Sequence, residues 1–341
     1  MQPHPDTRDI VAVGASAGGV PALTALFSRL PASLPAAVLV VLHIPSHSPS
    51  FLHSIISRAT RLRVVAAENG MRLEKGTVYV AIPDRHLTVD ADRVKLTRGP
   101  KECRARPSID ALFRSAAVHC GPRAIGVLLT GALDDGTAGL WAIKDQGGMV
   151  LVQEPSEAEH ASMPESAIEH VETDFVGNLA SLAQQIAERS GEPVATGRRG
   201  VAPERMVVEN RIAGGASGME SGIMELGNVS RYTCPECHGV LVEIHEGSIV
   251  RFRCHTGHAF SMKTLMAELN VEIDRTLWDT VRSIEEKIML LRQAAELARH
   301  SGNLANADRY LRVTEAANKS LKPLRELVED PALFHDGESS S

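Results

Sequence analysis

The chain of 341 residues is poor in aromatic side chains, at 4%, and contains no uninterrupted apolar stretch near the ~20 residues of a membrane-spanning helix. Insertion into a bilayer is not expected. Its first residues, MQPHPDTRDI, lack the basic and apolar regions of a signal peptide, so a cytoplasmic place is expected. There is no long basic run: 36 Lys and Arg stand against 42 Asp and Glu, for a formal charge of -6, which gives nucleic acid nothing to hold. Cysteine is scarce, five residues in all, an odd number. Because Cys234, Cys237 and Cys254 fall in one short segment, they argue for a metal site in a reducing compartment over a disulfide framework.

What is present is enough apolar residue, 43%, for a sizeable core, in more chain than one compact domain needs. From Ile10 to about Ser190 short apolar runs alternate with helical patterns, as in an α/β fold with a mostly parallel, doubly wound sheet flanked by helices. The expected strands are IVAVG (10–14), AVLVVLH (37–43), RVVAA (63–67), TVYVAI (77–82), AIGVLLT (124–130) and GMVLVQ (148–153), with an antiparallel hairpin inserted between Tyr79 and Thr97. Ile109, Leu112, Phe113, Ala116 and Ala117 form a helical stripe with Ser108 as its N-cap. Residues 1–190 are thus expected to form one domain. Gly-rich 191–230 reads as a flexible linker, 231–260 holds a Cys and His cluster, and 261–330 carries apolar residues at threes and fours, broken at 301–303, as a helical hairpin. The tail, 331–341, reads as disordered.

Three strands of the first domain end in polar residues. The first runs into Ala15-Ser16-Ala17-Gly18-Gly19, the second into His43, and a later one into Ala132-Leu133-Asp134-Asp135-Gly136. Parallel strands share one carboxyl edge, where ligands bind. A serine hydroxyl is a weak nucleophile. It needs an imidazole to take its proton and a carboxylate to orient that imidazole. Either Asp134 or Asp135 could serve, the other capping the helix TAGLWAIKDQ. Ser16 also precedes a helix start, so the Ala17 amide is the first candidate to stabilise an oxyanion. A nucleotide loop is the competing reading of GASAGG. It is weakened by Ser16 at the central glycine position and by the absence of any Asp or Glu between Asp9 and Glu68 to hold a ribose.

Five blocks in order carry a resemblance: GASAGG (14–19), LHIP (42–45), RPSID with LFRSAA (106–117), LLTGALDDGTAGL (128–140) and MPESAI (163–168). Residues 9 to about 190 resemble the catalytic domain of the CheB-type chemotaxis protein-glutamate methylesterases. The resemblance implies Ser16 as nucleophile, His43 as general base and Asp135, not Asp134, as the carboxylate. It implies hydrolysis of glutamate γ-methyl esters on the cytoplasmic helices of chemoreceptors through an acyl-serine intermediate, with methanol released. Deamidation of receptor glutamine would be the same acyl transfer. The family pattern has Met-Gly where this chain has Ala132-Leu133, which leaves the Ala132 amide as a second oxyanion candidate. Met163 and Pro164 are expected near the substrate, with core packing the alternative. The resemblance starts at residue 9, so no phospho-receiver domain is expected ahead of it. A signalling adaptor that binds protein through the α/β domain and the Cys/His module without turnover is the competing function, and the three residues kept together favour the enzyme.

Cys234-x2-Cys237, sixteen residues, then Cys254-His255-x2-His258 is the spacing of a zinc ribbon. Cys234, Cys237, Cys254 and His258 are the expected ligands, with His255 as the alternative, and Gly239 and Gly257 are expected to permit the knuckle turns. Four ligands close the coordination sphere, so one structural zinc is expected, and no cofactor for catalysis. A redox dithiol is the other use of C-x2-C, but no thioredoxin-like pattern surrounds it. Balanced local charges point to a signalling-protein partner at the ribbon or the helical hairpin, not to nucleic acid.

Overall fold

The computed structural model describes residues 6–47, 49–194 and 202–334. In chain order the first domain contains β1 (Ile10–Ala15), α1 (Gly19–Phe27), β2 (Ala37–Leu42), α2 (Leu52–Ala59), β3 (Arg63–Ala66), β4 (Thr77–Val80), β5 (His86–Asp90), β6 (Arg93–Thr97), α3 (Ile109–Cys120), β7 (Ala124–Leu128), α4 (Thr137–Asp145), β8 (Met149–Gln153), α5 (Ser162–His170), β9 (Phe175–Gly177) and α6 (Leu179–Arg189). Seven strands pair in the order β3-β4-β2-β1-β7-β8-β9, every pair parallel. The chain leaves β1 toward β2 and returns to β7 on its other side, which makes the carboxyl ends of β1 and β7 a topological switch point.

Central strands β1, β2 and β7 are buried along their whole length. This fits their nearly unbroken apolar runs, because helices cover both faces. One face packs under Leu23 and Leu26 of α1, Ile56 of α2 and Ile186 of α6. The other packs under Leu112 and Phe113 of α3 and Leu140 of α4. The expected hairpin is β5–β6, paired antiparallel apart from the main sheet. Helix α3 buries its expected apolar stripe and is capped by Ser108, and Asp110, Arg114 and Ser115 are buried with it. Its outer face lies under β5 and a helix from beyond residue 200.

That helix corrects the expected linker. Residues 195–201 lie outside the described residues, but α7 (Glu204–Ala213) follows them and buries Met206, Val208, Glu209 and Ile212. The ribbon then forms a four-stranded antiparallel sheet, β10 (Asn228–Thr233), β11 (Val240–Glu246), β12 (Ile249–Cys254) and β13 (Ala259–Ser261). It starts three residues earlier than expected. The first compact unit runs Met1–Leu265, so the ribbon belongs with the α/β domain, and a second unit runs Met266–Ser341.

The helical hairpin consists of α8 (Met262–His300) and α9 (Leu304–Val328). Val281, Ile288 and Ala295, seven residues apart, are buried, and Glu285 pairs with Arg325 of α9. Helix α9 continues through Pro323. Pro331–Phe334 form a short 3-10 turn where disorder was expected, and the rest of the tail, 335–341, lies outside the described residues. Among the described residues no helix is long and apolar enough to cross a membrane.

The ribbon is joined to the domain by buried charge. Arg251 donates to both oxygens of Glu209 at 2.8 Å and through Nε to Glu246 at 3.0 Å. Arg253 donates to Glu209 at 2.9 Å and lies 3.1 Å from Glu102, whose two oxygens accept from Arg114 of α3 at 2.7 and 2.8 Å. Burial alone would raise the Glu102 carboxyl, but Arg114 and Arg253 hold it down to about 2. Breaking such a cluster leaves a desolvated charge without its partner. Glu209→Ala is expected to lower the free energy of urea unfolding by roughly 3 to 5 kcal/mol, measured on the full chain.

Candidate active site

The register that aligns Ala15 with Leu42 makes Ser16 and His43 the next pair along β1 and β2. Backbone bonds continue past the strand ends, from Ser16 N to Thr130 O at 3.0 Å and from His43 N to Ala15 O at 3.3 Å. Neighbouring strands lie about 4.8 Å apart, so the ring nitrogen nearer the backbone reaches across to the serine. His43 Nδ1 is 2.9 Å from Ser16 Oγ, and Nε2 at the ring tip is 2.7 Å from Asp135 Oδ2. The buried Asp135 carboxylate occupies the N-terminus of α3. It accepts from Ser108 Oγ at 3.1 Å and from the amides of Ile109 at 2.8 Å and Asp110 at 3.0 Å. Asp110 answers by accepting from the amides of Gly136 at 3.0 Å and Gly139 at 2.6 Å, at the start of α4. The expectation that Asp134 or Asp135 caps α4 is thereby corrected, since the cap comes from α3. Burial, then the charge of Asp135, push the Asp110 carboxyl well above its usual range. His86 props the same helix end: its Nδ1 accepts from Ser108 N at 3.2 Å while Nε2 donates to Pro100 O at 2.8 Å, and burial keeps the ring neutral enough to do both.

Ser16 and His43 open into a cavity of about 530 Å³. Asp84, Lys101, Arg106, Leu133 and, from the ribbon side, Thr264 add to its wall. Arg106 donates to Asp84 Oδ1 at 2.9 Å through Nε, which holds the Asp84 carboxyl below its usual value. Asp134 points away from His43 and accepts from Ser261 Oγ at 2.7 Å. Here a hydroxyl can lose its proton to an imidazole whose far nitrogen is held by a carboxylate, the arrangement that nucleophilic acyl transfer requires.

The family model described as CheB methylesterase matches residues 11–186, just over half of the chain. The chain belongs to the CheB methylesterase family. It is 36% identical over 177 residues to a putative protein-glutamate methylesterase/protein-glutamine glutaminase of Leptospira interrogans, with 52% of this chain and 92% of that protein covered. It is 38% identical over 189 residues to protein-glutamate methylesterase/protein-glutamine glutaminase 2 of Methanosarcina mazei, a match that spans 53% of this chain but only 52% of that relative. The chain thus spans about half the length of that curated relative. The crystal structure of the Thermotoga maritima CheB methylesterase catalytic domain is similar at a TM-score of 0.51 and 30% identity, covering 53% of this chain and 98% of that one.

The other residues expected near the site fall in different places. Ala132 lines the cavity, whereas Ala17 does not and its carbonyl accepts from Thr130 Oγ1 at 3.0 Å. Leu133, where the family pattern has glycine, takes φ 64°, a left-handed backbone that costs a side chain about 1 kcal/mol. Met163 is fully buried and Pro164 is buried beside it; neither lines the cavity, so core packing describes both. Met163 needs Gly131 for this, because a Cβ there would lie 2.2 Å from its sulfur and 2.8 Å from Ser16 Cβ. Sequence reasoning missed Asp110, Glu102 and Thr264. Asp110 sits in the RPSID block, but nothing in a single sequence marks which acid faces inward.

Outside the matched residues, the donor atoms of Cys234, Cys237, Cys254 and His258 all lie within 4.8 Å of one another. Cys237 Sγ is 3.5 Å from Cys254 Sγ, and His258 Nδ1 is 3.5 Å from Cys254 Sγ and 3.7 Å from Cys234 Sγ. Sulfurs bound at about 2.3 Å around a tetrahedral ion sit about 3.8 Å apart, so the donor set fits zinc. His255 is not in this group. Its ring lies against Gly239, where a Cβ would be 2.2 Å from Cε1. Gly239 is thus required by close approach, while the left-handed turns fall at His238 (φ 58°) and Gly257 (φ 103°). Cys103 and Cys120 are buried, and burial raises the Cys103 thiol well above its usual value.

Burial, and then the neighbouring Asp135, push Asp134 up to about 6 despite the Ser261 bond. A folded-state carboxyl raised above its unfolded value binds its proton more tightly when folded, so stability falls as pH rises from about 4 to about 6. Asp134→Asn should remove this slope. Relative to wild type it is expected to gain roughly 2 to 3 kcal/mol of unfolding free energy between pH 4 and pH 7, read from denaturant melts across that range.

Proposed function

We propose that this chain is a protein-glutamate methylesterase that hydrolyses glutamate γ-methyl esters on the cytoplasmic helices of chemoreceptors. The observation that carries the reading is His43, bonded at one nitrogen to Ser16 and at the other to Asp135, on the floor of an open cavity in the domain matched by the family model. The names of the Leptospira and Methanosarcina relatives support the substrate and extend it to glutamine, whose deamidation differs only in the leaving group.

In the reaction, Ser16 Oγ attacks the ester carbonyl carbon while His43 Nδ1 takes the hydroxyl proton. Asp135 stabilises the imidazolium so formed, and the first amides of α3 hold that carboxylate in place. The amides of Ala17 and Ala132 are the candidates to receive the developing oxyanion. When the acyl–oxygen bond breaks, His43 returns the proton and methanol leaves. Water then attacks the acyl-serine with His43 again as base, giving glutamate and free Ser16.

The ribbon has a separate assignment. Cys234, Cys237, Cys254 and His258 are proposed to hold one zinc ion, which would supply structural cross-linking and leave no open position for chemistry.

Methylated receptor membranes incubated with purified wild type should release methanol, and Ser16→Ala should lower the rate by roughly a thousandfold or more. Equal release by both proteins would sink the assignment of Ser16, and no release by wild type on several receptors would sink the substrate. In the same preparations metal analysis should find about one zinc per chain. Cys237→Ser should lose that zinc and melt at lower temperature, and a zinc-free wild type that melts like the loaded protein would refute the metal site.

A further inference from the structure

The ribbon reaches the loop that carries Asp135. Strand β13 runs beside residues 101–103: the Ala259 amide donates to Lys101 O at 3.2 Å, and the Cys103 amide donates to Ala259 O at 2.9 Å. At the end of this strand, Ser261 Oγ donates to Asp134 Oδ1 at 2.7 Å. The same oxygen accepts from the Thr264 amide at 3.0 Å, and Thr264 Oγ1 accepts from the Ser261 amide at 2.7 Å, a reciprocal cap on the start of α8. A hydroxyl has one proton and two lone pairs. In Ser261 the proton goes to Asp134 and the oxygen to the helix.

Asp134 and Asp135 share a peptide plane, in a loop that turns left-handed at Leu133 (φ 64°) and Gly136 (φ 101°). Such a turn is held by its surroundings more than by its own preference. On one side Asp135 is fixed by α3, and on the other Asp134 is fixed by the ribbon. We infer that Ser261 is a positioning residue for the esterase site: by tethering Asp134 it sets the 133–136 loop so that Asp135 meets His43 Nε2. The inference rests on the proposed use of Ser16, His43 and Asp135. It goes beyond the family's matched residues, which end at 186, and gives the ribbon a part in the active site that those residues do not contain.

The two duties of Ser261 can be separated. Ser261→Thr keeps both the donor and the cap, Ser261→Gly keeps a tolerated cap residue but has no proton to give Asp134, and Ser261→Ala has neither. Two readouts apply to the full chain: the rate at which Ser16 is labelled by a fluorophosphonate ester, and the proton resonance of His43 Nε2–H in histidine-labelled protein. Displacing a reacting group by about an ångström costs about a hundredfold in rate, so Ala and Gly should slow labelling by roughly tenfold to a hundredfold and shift or lose the resonance. Thr should keep both. Restoration by Gly as complete as by Thr would reduce Ser261 to a helix cap, and a wild-type rate and resonance in Ala would overturn the inference outright. If Ser261→Ala does not fold, the comparison of Thr with Gly decides alone. Neither readout needs a receptor: methanol release can fail, and with it the substrate assignment, while the resonance still tests Ser261.

Discussion

Two helices in this protein begin by holding each other's carboxylates. Asp135, ahead of α4, takes the first amides of α3, and Asp110, in the first turn of α3, takes the first amides of α4. Both helix starts are buried, where amides without acceptors would each cost on the order of 1 to 3 kcal/mol. The exchange satisfies them with two side chains instead of water. It also fixes the one carboxylate that must face His43, because Asp135 cannot turn away without freeing three donors of α3. The price is two acids close together in a dry place, and the upward push on Asp110 is how the structure bears it.

A second layer of charge lies behind this pair. Glu102 grips Arg114 on α3 and approaches Arg253 on the ribbon, and Glu209 on α7 joins Arg253 to Arg251. Buried ion pairs gain little net stability over apolar packing, but an arrangement that separates the partners leaves a desolvated charge uncompensated. Here the partners belong to α3, α7 and the ribbon. The cluster therefore specifies how a module of few apolar core residues, Leu241, Phe252, Phe260 and Leu265 chief among them, docks on the α/β domain.

The main sheet was readable because β1, β2, β7 and β8 are covered on both faces and so consist of apolar runs. Strand β9 was not: it has three residues at an edge, too few for a period. Helix α7 was hidden by its Gly-rich approach and by Glu209, whose charge reads as surface although it is buried. The same holds for Glu102, Arg114, Arg251 and Arg253, since a single sequence shows that charges balance but not that they balance one another inside. Of the site, Ser16, His43 and the Cys and His donors were legible from strand ends and ligand spacing. The choice of Asp135 over Asp134 needed the family resemblance, because adjacent acids differ only in which side of the loop they face.

The order Ser, His, Asp along the chain follows from the sheet. Ser16 and His43 terminate neighbouring strands in register, so their backbones are separated by one strand spacing and only the near nitrogen, Nδ1, fits between them. That leaves Nε2 pointing outward, over the strand that carries Ser16, toward whatever follows β7 on its far side. The carboxylate then comes from the loop after β7, and it is held by donors that belong to no strand of the sheet. Helix α3 supplies that hold from below through its amide end, and Asp134, turned the other way on the same peptide, meets the ribbon. The reach of one imidazole ring thus dictates which loop carries the acid, and the acid's distance from the sheet dictates why a helix terminus must stand behind it.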